Sequence, residues 1–102
     1  MSITGNKYAF SQENVNVAPD EHGVYALYDG DVTIYFGRAS GKDVTIRSRL
    51  KSHKSGNEGP CTKGATHYKR EVTSYPVSRE SELIEEYEEQ YGGLPRCNDR
   101  RP

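Results

Sequence analysis

Five side chains, in a fixed order along the chain, carry groups that together suit the cleavage of a phosphodiester bond. They are the phenols of Tyr25 and Tyr35, the guanidinium of Arg49, the imidazole of His53 and the carboxylate of Glu85. Such cleavage needs an activated nucleophile, neutralisation of the charge that builds up around phosphorus, and help for the leaving oxygen. An arginine donates two hydrogen bonds to a phosphate, and one carboxylate with water suits a hard divalent cation. These residue types therefore permit metal-assisted hydrolysis if folding brings them together.

Both tyrosines lie in segments with strand character. Residues 23–28 (Gly-Val-Tyr-Ala-Leu-Tyr) and 32–36 (Val-Thr-Ile-Tyr-Phe) are rich in β-branched and aromatic side chains, and Asp-Gly-Asp at 29–31 is a hairpin signal. We expect an antiparallel hairpin in which the hydroxyls of Tyr25 and Tyr35 open toward Arg49. Gly37 is expected to end the second strand.

A helix is predicted after this hairpin. Asp43 is the expected N-cap, and the helix runs to about residue 54 with Ile46, Leu50 and His53 on one side. Residues 55–64 are expected to form a long flexible loop. Weak alternation over 66–75 follows, with strand character at 71–75.

The last predicted helix begins near Ser78, with Ser78 or Ser81 as its cap and a glutamate three or four residues later, as in a capping box. Its apolar stripe consists of Leu83, Ile84, Tyr87 and Tyr91. Gly92 and Gly93 are expected to end it. The element order β-β-α-β-α predicts an α+β fold, in which helices flank a small three-stranded antiparallel sheet.

Length and composition indicate a single folded domain over residues 1–102. The motif-bearing part is 23–98, and residues 1–22 form an N-terminal extension without clear periodicity over 1–20. Only 17 residues are Leu, Ile, Val or Phe, but eight tyrosines add amphipathic bulk and the net charge is only −1, so a small tyrosine-rich core is expected. No apolar run is long enough for a membrane span and no signal peptide is evident, so we expect a cytoplasmic protein without membrane partners.

The two cysteines permit three states. Cys61 and Cys97 can be free thiols, a disulfide, or ligands of a metal site together with His67. Because a CxxC pairing is missing, zinc is disfavoured. Reduced thiols are the expected state.

Charge is distributed unevenly along the chain. Residues 38–70 hold nine Lys/Arg against Asp43 and Glu58, a balance of +7, whereas residues 78–91 hold six Glu against Arg79, a balance of −5. The basic stretch can neutralise phosphates even though the whole chain is nearly neutral. Pairing of this basic face with the acidic helix is an equally simple interpretation.

Six short segments, taken in order, resemble the signature segments of the GIY-YIG nuclease domain family. They are Gly23-Val24-Tyr25, Tyr35-Phe36-Gly37, Arg38-Ala39, the run from Arg49 to His53, the run from Ser81 to Glu85, and Pro95-Arg96-Cys97-Asn98. Val and Phe stand where the first two signatures usually have Ile. The match covers residues 23–98, about three quarters of the chain. Each segment alone is weak evidence, whereas six in order are specific.

The resemblance implies an endonuclease that uses Mg²⁺ or Mn²⁺. Glu85 would hold the cation, and Tyr35 would be the general base, with its pKa lowered by Arg49 or by the cation. Tyr25 and His53 would orient the water or relay a proton. Nucleic-acid contacts are expected from Arg38, Lys42, Arg47, Lys51, Lys54 and Asn98, although Asn98 would alternatively pin the C-terminal segment.

Two questions remain open at this level. Counting forward from Ser81 favours Glu85 as the cation ligand, whereas counting back from Asn98 favours Glu86, and Gly92-Gly93 resembles a one-residue insertion between them; we prefer Glu85 because it follows Ile84. The function is expected to be hydrolysis of nucleic acid, with DNA favoured and any sequence specificity low or supplied by a partner protein. The alternative is a non-catalytic module that binds nucleic acid or docks a protein.

Overall fold

The computed structural model describes residues 3–98 of the chain. The elements follow one another as β1 (Tyr8–Ala9), α1 (Gln12–Asn16), β2 (Gly23–Asp29), β3 (Val32–Ala39), α2 (Ile46–Ser55), α3 (Pro60–Lys63), β4 (His67–Val72) and α4 (Pro76–Tyr91). The predicted domain limits, 1 and 102, lie outside the described residues.

The described strands form one antiparallel sheet in the order β1-β4-β2-β3. The α+β class is confirmed, but the sheet has a strand more than the three predicted. The added strand, β1, comes from the N-terminal extension and pairs Tyr8 with Tyr68. Two residues are too few to show the alternation by which a strand is recognised in a sequence. The extension also adds Phe10 and Val15 to the buried core.

The β2–β3 hairpin confirms the expected placement of the two signature tyrosines on adjacent antiparallel strands. Tyr25 pairs with Gly37, and Leu27 pairs with Tyr35. β3 continues past Gly37 to Ala39. Gly37 is required for packing: a Cβ there would lie less than 3.0 Å from three atoms of the Tyr25 phenol. Gly37, the glycine of the second signature, therefore makes room for Tyr25, the tyrosine of the first signature.

The two faces of the sheet pack against different helices. Tyr25 and Leu27 belong to a core cluster that includes Ile46 and Leu50 of α2. Val24, Ala26, Tyr28 and Phe36 belong to a second cluster with Leu83 and Ile84 of α4. Because successive strand residues point to opposite faces, β3 can present side chains to both layers. β3 is also an edge strand, so groups from both layers can meet beside it.

Helix α2 begins later than predicted. Thr45, rather than Asp43, is the N-cap; the Thr45 hydroxyl accepts a hydrogen bond from the Ser48 amide, and the Ser48 hydroxyl accepts one from the Thr45 amide. Asp43 lies in the preceding turn with φ 63°. The prediction that Ile46, Leu50 and His53 share one side of the helix is confirmed, and this side is buried.

Helix α4 begins earlier than predicted, and neither Ser78 nor Ser81 caps it. The N-cap is Tyr75, which makes no side-chain capping bond, and Pro76 occupies the first turn. Proline suits this position because its missing N–H would have no partner within the helix. The helix ends at Gly92, in the left-handed conformation, as predicted.

The prediction of reduced thiols is wrong: Cys61 and Cys97 form a disulfide. Neither local spacing nor composition reveals this pairing, because the cysteines are 36 residues apart and meet only in the folded chain. Cys61 lies in the short helix α3, inside the segment 55–64 that was expected to be a loop. Among residues 3–98, no three metal-binding side chains cluster together. No helix in the described part of the chain is long and apolar enough to cross a membrane.

Candidate active site at the edge of the sheet

A cavity of about 720 Å³ lies beside β3 and draws its lining from several elements. The functional side chains around it are Tyr35, Arg38, Arg49, His53, Glu58, Thr62, Glu80 and Asn98. Tyr35 and Arg49 come from the α2 layer of the sheet, whereas Glu80 comes from helix α4 on the other face. The cavity therefore spans the edge strand and joins groups from both layers.

A buried hydrogen-bonded chain forms the inner wall. The Tyr25 hydroxyl lies 2.8 Å from Nε2 of His53, and Nδ1 of His53 lies 2.8 Å from the Thr62 hydroxyl. Tyr25 and His53 are essentially inaccessible to solvent. Burial, followed by the nearby charge of Arg49, lowers the pKa of His53 to about 4. The imidazole is therefore neutral at pH 7: one ring nitrogen carries a proton and the other does not. If the second nitrogen accepts a proton, the first must donate its own for the ring to stay neutral.

Tyr35 stands in front of this chain, where it faces the cavity. Its ring centroid lies 6.2 Å from that of Tyr25 and 4.9 Å from that of His53. Burial raises the pKa of both phenols; Arg49 opposes the shift at each, but burial outweighs it. Arg49 thus acts in the predicted direction without lowering the pKa of Tyr35 overall. In the protein alone, Tyr35 is a protonated phenol at neutral pH.

Arg49 is held by an acidic partner from the loop after α2. Its Nη1 lies 3.2 Å from a carboxylate oxygen of Glu58, and the Ser52 hydroxyl donates to the same oxygen at 2.7 Å. Hydrogen bonds from Arg49 and Ser52 lower the pKa of Glu58. The guanidinium is partly exposed to the cavity, so its remaining donors can reach an anion there.

Two carboxylates of the described residues line the cavity: Glu58, which Arg49 and Ser52 hold, and Glu80, which is buried. Glu80 is 6% exposed, and its Oε1 accepts a hydrogen bond from Nη1 of Arg38 at 2.8 Å. Burial raises the pKa of Glu80, and Arg38 partly opposes this shift. A buried carboxylate beside a water-accessible cavity is an available ligand for a cation.

Glu85, the predicted cation ligand, is exposed and does not line the cavity. An α-helix turns about 100° per residue, so Glu85 points about 140° away from Glu80. Glu86, the alternative, is half-buried and is likewise not part of the lining. The directions of Glu85 and Glu86 do not depend on where α4 begins. They follow from the buried Leu83 and Ile84, which fix the side of the helix that faces the sheet.

A signal for Glu80 is present in the sequence. Leu83, Ile84 and Tyr87 follow it at the third, fourth and seventh positions, which places Glu80 on the same helix face as the apolar stripe. A charged residue on a buried stripe is a candidate functional group. Thr62 and Glu58, which hold His53 and Arg49, lie in a segment without periodicity, and no comparable pattern marks them.

The basic residues that were predicted to contact nucleic acid differ in their position relative to the cavity. Arg38 lines the cavity, and Lys42 lies on an exposed loop between the lining residues Ser40 and Val44. Arg47, Lys51 and Lys54 lie on the side of α2 that points away from Arg49. Nε of Arg47 donates to the Ala18 carbonyl at 2.8 Å, and the Lys54 ammonium lies 5.2 Å from the centroid of the Phe10 ring.

Asn98 holds the C-terminal segment against the edge strand. Its carboxamide oxygen accepts from the Phe36 amide, and its amide nitrogen donates to the Phe36 carbonyl, both at 3.0 Å. The Cys97 amide adds a bond of 2.8 Å to the Ile34 carbonyl. Of the two roles considered for Asn98, the structure supports the pinning of this segment.

Comparison with solved structures identifies the fold. The chain is similar to the N-terminal GIY-YIG endonuclease domain of UvrC from Thermotoga maritima bound to magnesium, with a TM-score of 0.66 and 24% identity over 85% of this chain and 93% of that chain. A point mutant of the same domain that carries alanine for an asparagine, bound to its catalytic divalent cation, aligns with a TM-score of 0.65 and 24% identity over 87% and 94%. Searches against family models and curated proteins found no match. The chain has the GIY-YIG endonuclease fold.

Proposed function

We propose that this protein is a metal-dependent endonuclease that hydrolyses phosphodiester bonds of nucleic acid, with DNA the favoured substrate. The observation that carries the proposal is the meeting of Tyr35, Arg49 and His53 with the buried carboxylate of Glu80 in one cavity. The solved domains of the same fold are endonuclease domains with a catalytic divalent cation. Fold and side-chain chemistry thus support the same activity.

The donor set fits magnesium or manganese. Glu80 offers one hard carboxylate beside an open, water-accessible cavity, and Mg²⁺ usually keeps several waters while it binds one or two carboxylates. Closed structural zinc sites need four nitrogen or sulfur ligands, and such a cluster does not occur among residues 3–98. When bound, the divalent cation would supply Lewis acidity and neutralise charge on the phosphate.

The protein side chains take complementary roles in this proposal. Arg49 binds the scissile phosphate and stabilises the additional charge of the transition state. Tyr35, at the cavity surface, would lose its proton to solvent when positive charge in the site lowers its pKa, and the phenolate would then accept the proton of the attacking water. The neutral His53 holds the Tyr25 hydroxyl through the 2.8 Å contact, and Tyr25 in turn lies beside Tyr35.

Cleavage of supercoiled plasmid, branched DNA and single-stranded DNA, with Mg²⁺ or with EDTA, tests the proposal. We expect cleavage that requires the cation and falls roughly 100-fold or more in Arg49→Gln, because a phosphate contact of the transition state is lost. Arg96→Gln is the matched control, since Arg96 pairs with Asp29 on the surface outside the cavity. Binding of these DNAs without any cleavage would instead indicate the non-catalytic module.

A further inference from the structure

The ion pair between Arg38 and Glu80 joins two groups with very different freedom to move. The Glu80 side chain is 8% exposed, whereas the Arg38 side chain is 38% exposed. Among the described residues, Arg38 is the only side chain that donates a hydrogen bond to Glu80. The carboxylate is fixed by burial in α4, and the guanidinium reaches it from the open side of β3.

This arrangement satisfies a charge that would otherwise be costly. A buried carboxylate without a compensating positive charge is strongly unfavourable. In the protein alone, Arg38 supplies that charge through the 2.8 Å contact. A cation bound to Glu80 would supply it as well, and two positive groups on one buried carboxylate repel each other. Arg38 and the cation are therefore competitors for Glu80.

Arg38 has an alternative partner when nucleic acid is present. The guanidinium lines the same cavity as Arg49, and its planar fork matches a phosphate group as well as a carboxylate. A phosphate in the cavity would accept the donors that the cation displaces from Glu80. The cation releases Arg38 from Glu80, and a phosphate captures the released guanidinium. Each of these two events therefore favours the other.

We propose that Arg38 is an internal competitor that couples the two ligands: it holds Glu80 in the free protein and moves to a phosphate when cation and nucleic acid bind together. The inference rests on the proposed function, since it takes Glu80 as the cation ligand. It adds a positioning residue that makes cation binding dependent on the substrate. The free protein would bind the cation weakly, and nucleic acid would strengthen that binding.

Binding measurements without turnover test this coupling. Mn²⁺ affinity is measured by electron paramagnetic resonance for the wild type and Arg38→Gln, with and without a short phosphorothioate DNA. In the wild type we expect the DNA to tighten Mn²⁺ binding by roughly 5- to 100-fold, the usual range of coupling between sites. In Arg38→Gln, Mn²⁺ should bind about 10-fold more tightly without DNA, because the competitor is gone, and the DNA should add little.

The controls separate failure of this inference from failure of the proposed function. Arg96→Gln breaks another arginine–carboxylate pair, with Asp29, and should keep the wild-type coupling. Equal or weaker Mn²⁺ binding by Arg38→Gln, or coupling that persists in it, would overturn the competition while Glu80 remains the ligand. Undiminished Mn²⁺ binding by Glu80→Gln in the presence of DNA, or no Mn²⁺ binding by the wild type even with DNA, would overturn the proposed site and the inference with it.

Discussion

The Tyr25 hydroxyl lies 2.8 Å from Nε2 of His53, and neither side chain is accessible to solvent. This contact links the hairpin to α2 across a sequence separation of 28 residues. The Thr62 hydroxyl lies 2.8 Å from the other ring nitrogen, Nδ1, so each ring nitrogen of His53 has a partner within the protein. A buried imidazole held in this way is a rigid support for the tyrosines rather than a freely titrating group.

The pH dependence of stability should report the burial of His53. The unfolded chain takes up a proton near the usual pKa of 6.5, whereas the folded protein does so only near pH 4. As the pH falls from 6.5 to 4, the unfolded state therefore gains a proton that the native state lacks, and the free energy of unfolding falls by up to about 3 kcal/mol.

Urea unfolding of the wild type and His53→Gln at several pH values measures this term. The variant is expected to be less stable throughout, but its free energy of unfolding should fall less steeply between pH 6.5 and 4. Carboxylates such as Glu58 also contribute at acidic pH, so the difference between the two proteins is the relevant quantity. Equal slopes would show that His53 titrates normally in the folded state.

Gly37→Ala should destabilise the fold by about 1–3 kcal/mol, because the new methyl group overpacks a filled site. The added Cβ would overlap the Tyr25 phenol, which cannot yield easily because His53 holds its hydroxyl. Gly93→Ala is the matched control, since a Cβ there meets nothing within 4 Å. Thermal unfolding compares the two; similar melting temperatures would mean that the hairpin adjusts to the methyl group.

Reduction of the Cys61–Cys97 disulfide should lower the free energy of unfolding by about 3–4 kcal/mol, the loop-closure value for a link across 36 residues. Urea unfolding with and without a dithiol reductant measures the change. The Cys61→Ser/Cys97→Ser double variant should have the reduced stability under both conditions. If the urea midpoint of the wild type does not change with the reductant and alkylation detects free thiols, the disulfide does not form.

The hairpin and the residues that share one side of α2 were predictable because both depend on local patterns. An Asp-Gly turn between two β-rich runs fixes the neighbours of Tyr25, and helical spacing places His53 on the same side of α2 as Ile46 and Leu50. The pKa of Tyr35 was not predictable, since its direction depends on how much of the phenol is buried in three dimensions. The disulfide was missed for a similar reason, because its two ends meet only through the path of the whole chain.

The salt dependence of binding should distinguish Lys42 from Lys51. Lys42 lies between two residues of the cavity wall, whereas Lys51 is about 200° around α2 from Arg49. We expect Lys42→Gln to weaken nucleic-acid binding for all sequences and to reduce the salt slope by about 0.9, the value for one lost phosphate contact. Lys51→Gln should change both quantities less. Fluorescence anisotropy at several salt concentrations provides the measurement, and a larger effect at Lys51 would move the binding face to the far side of α2.

Substitution of each glutamate on α4 tests which one serves the site. Glu80→Gln keeps the size of the side chain and its hydrogen bond from Arg38 but removes the negative charge that would hold the cation. We expect Mg²⁺-dependent cleavage to fall by roughly 100-fold or more, while DNA binding survives or tightens because a negative charge near the phosphates is gone. Glu85→Gln, on the exposed side of the helix, is the matched control and should be nearly silent.

The comparison also tests the register of α4 directly. Cleavage rates are measured together with Mn²⁺ affinity, so that loss of the cation is distinguished from loss of the fold. Activity that survives in Glu80→Gln and disappears in Glu85→Gln would restore the ligand expected from the sequence. Full activity in both variants would exclude a carboxylate-held cation from either position, since neither the cavity-facing nor the exposed glutamate would then be needed for cleavage.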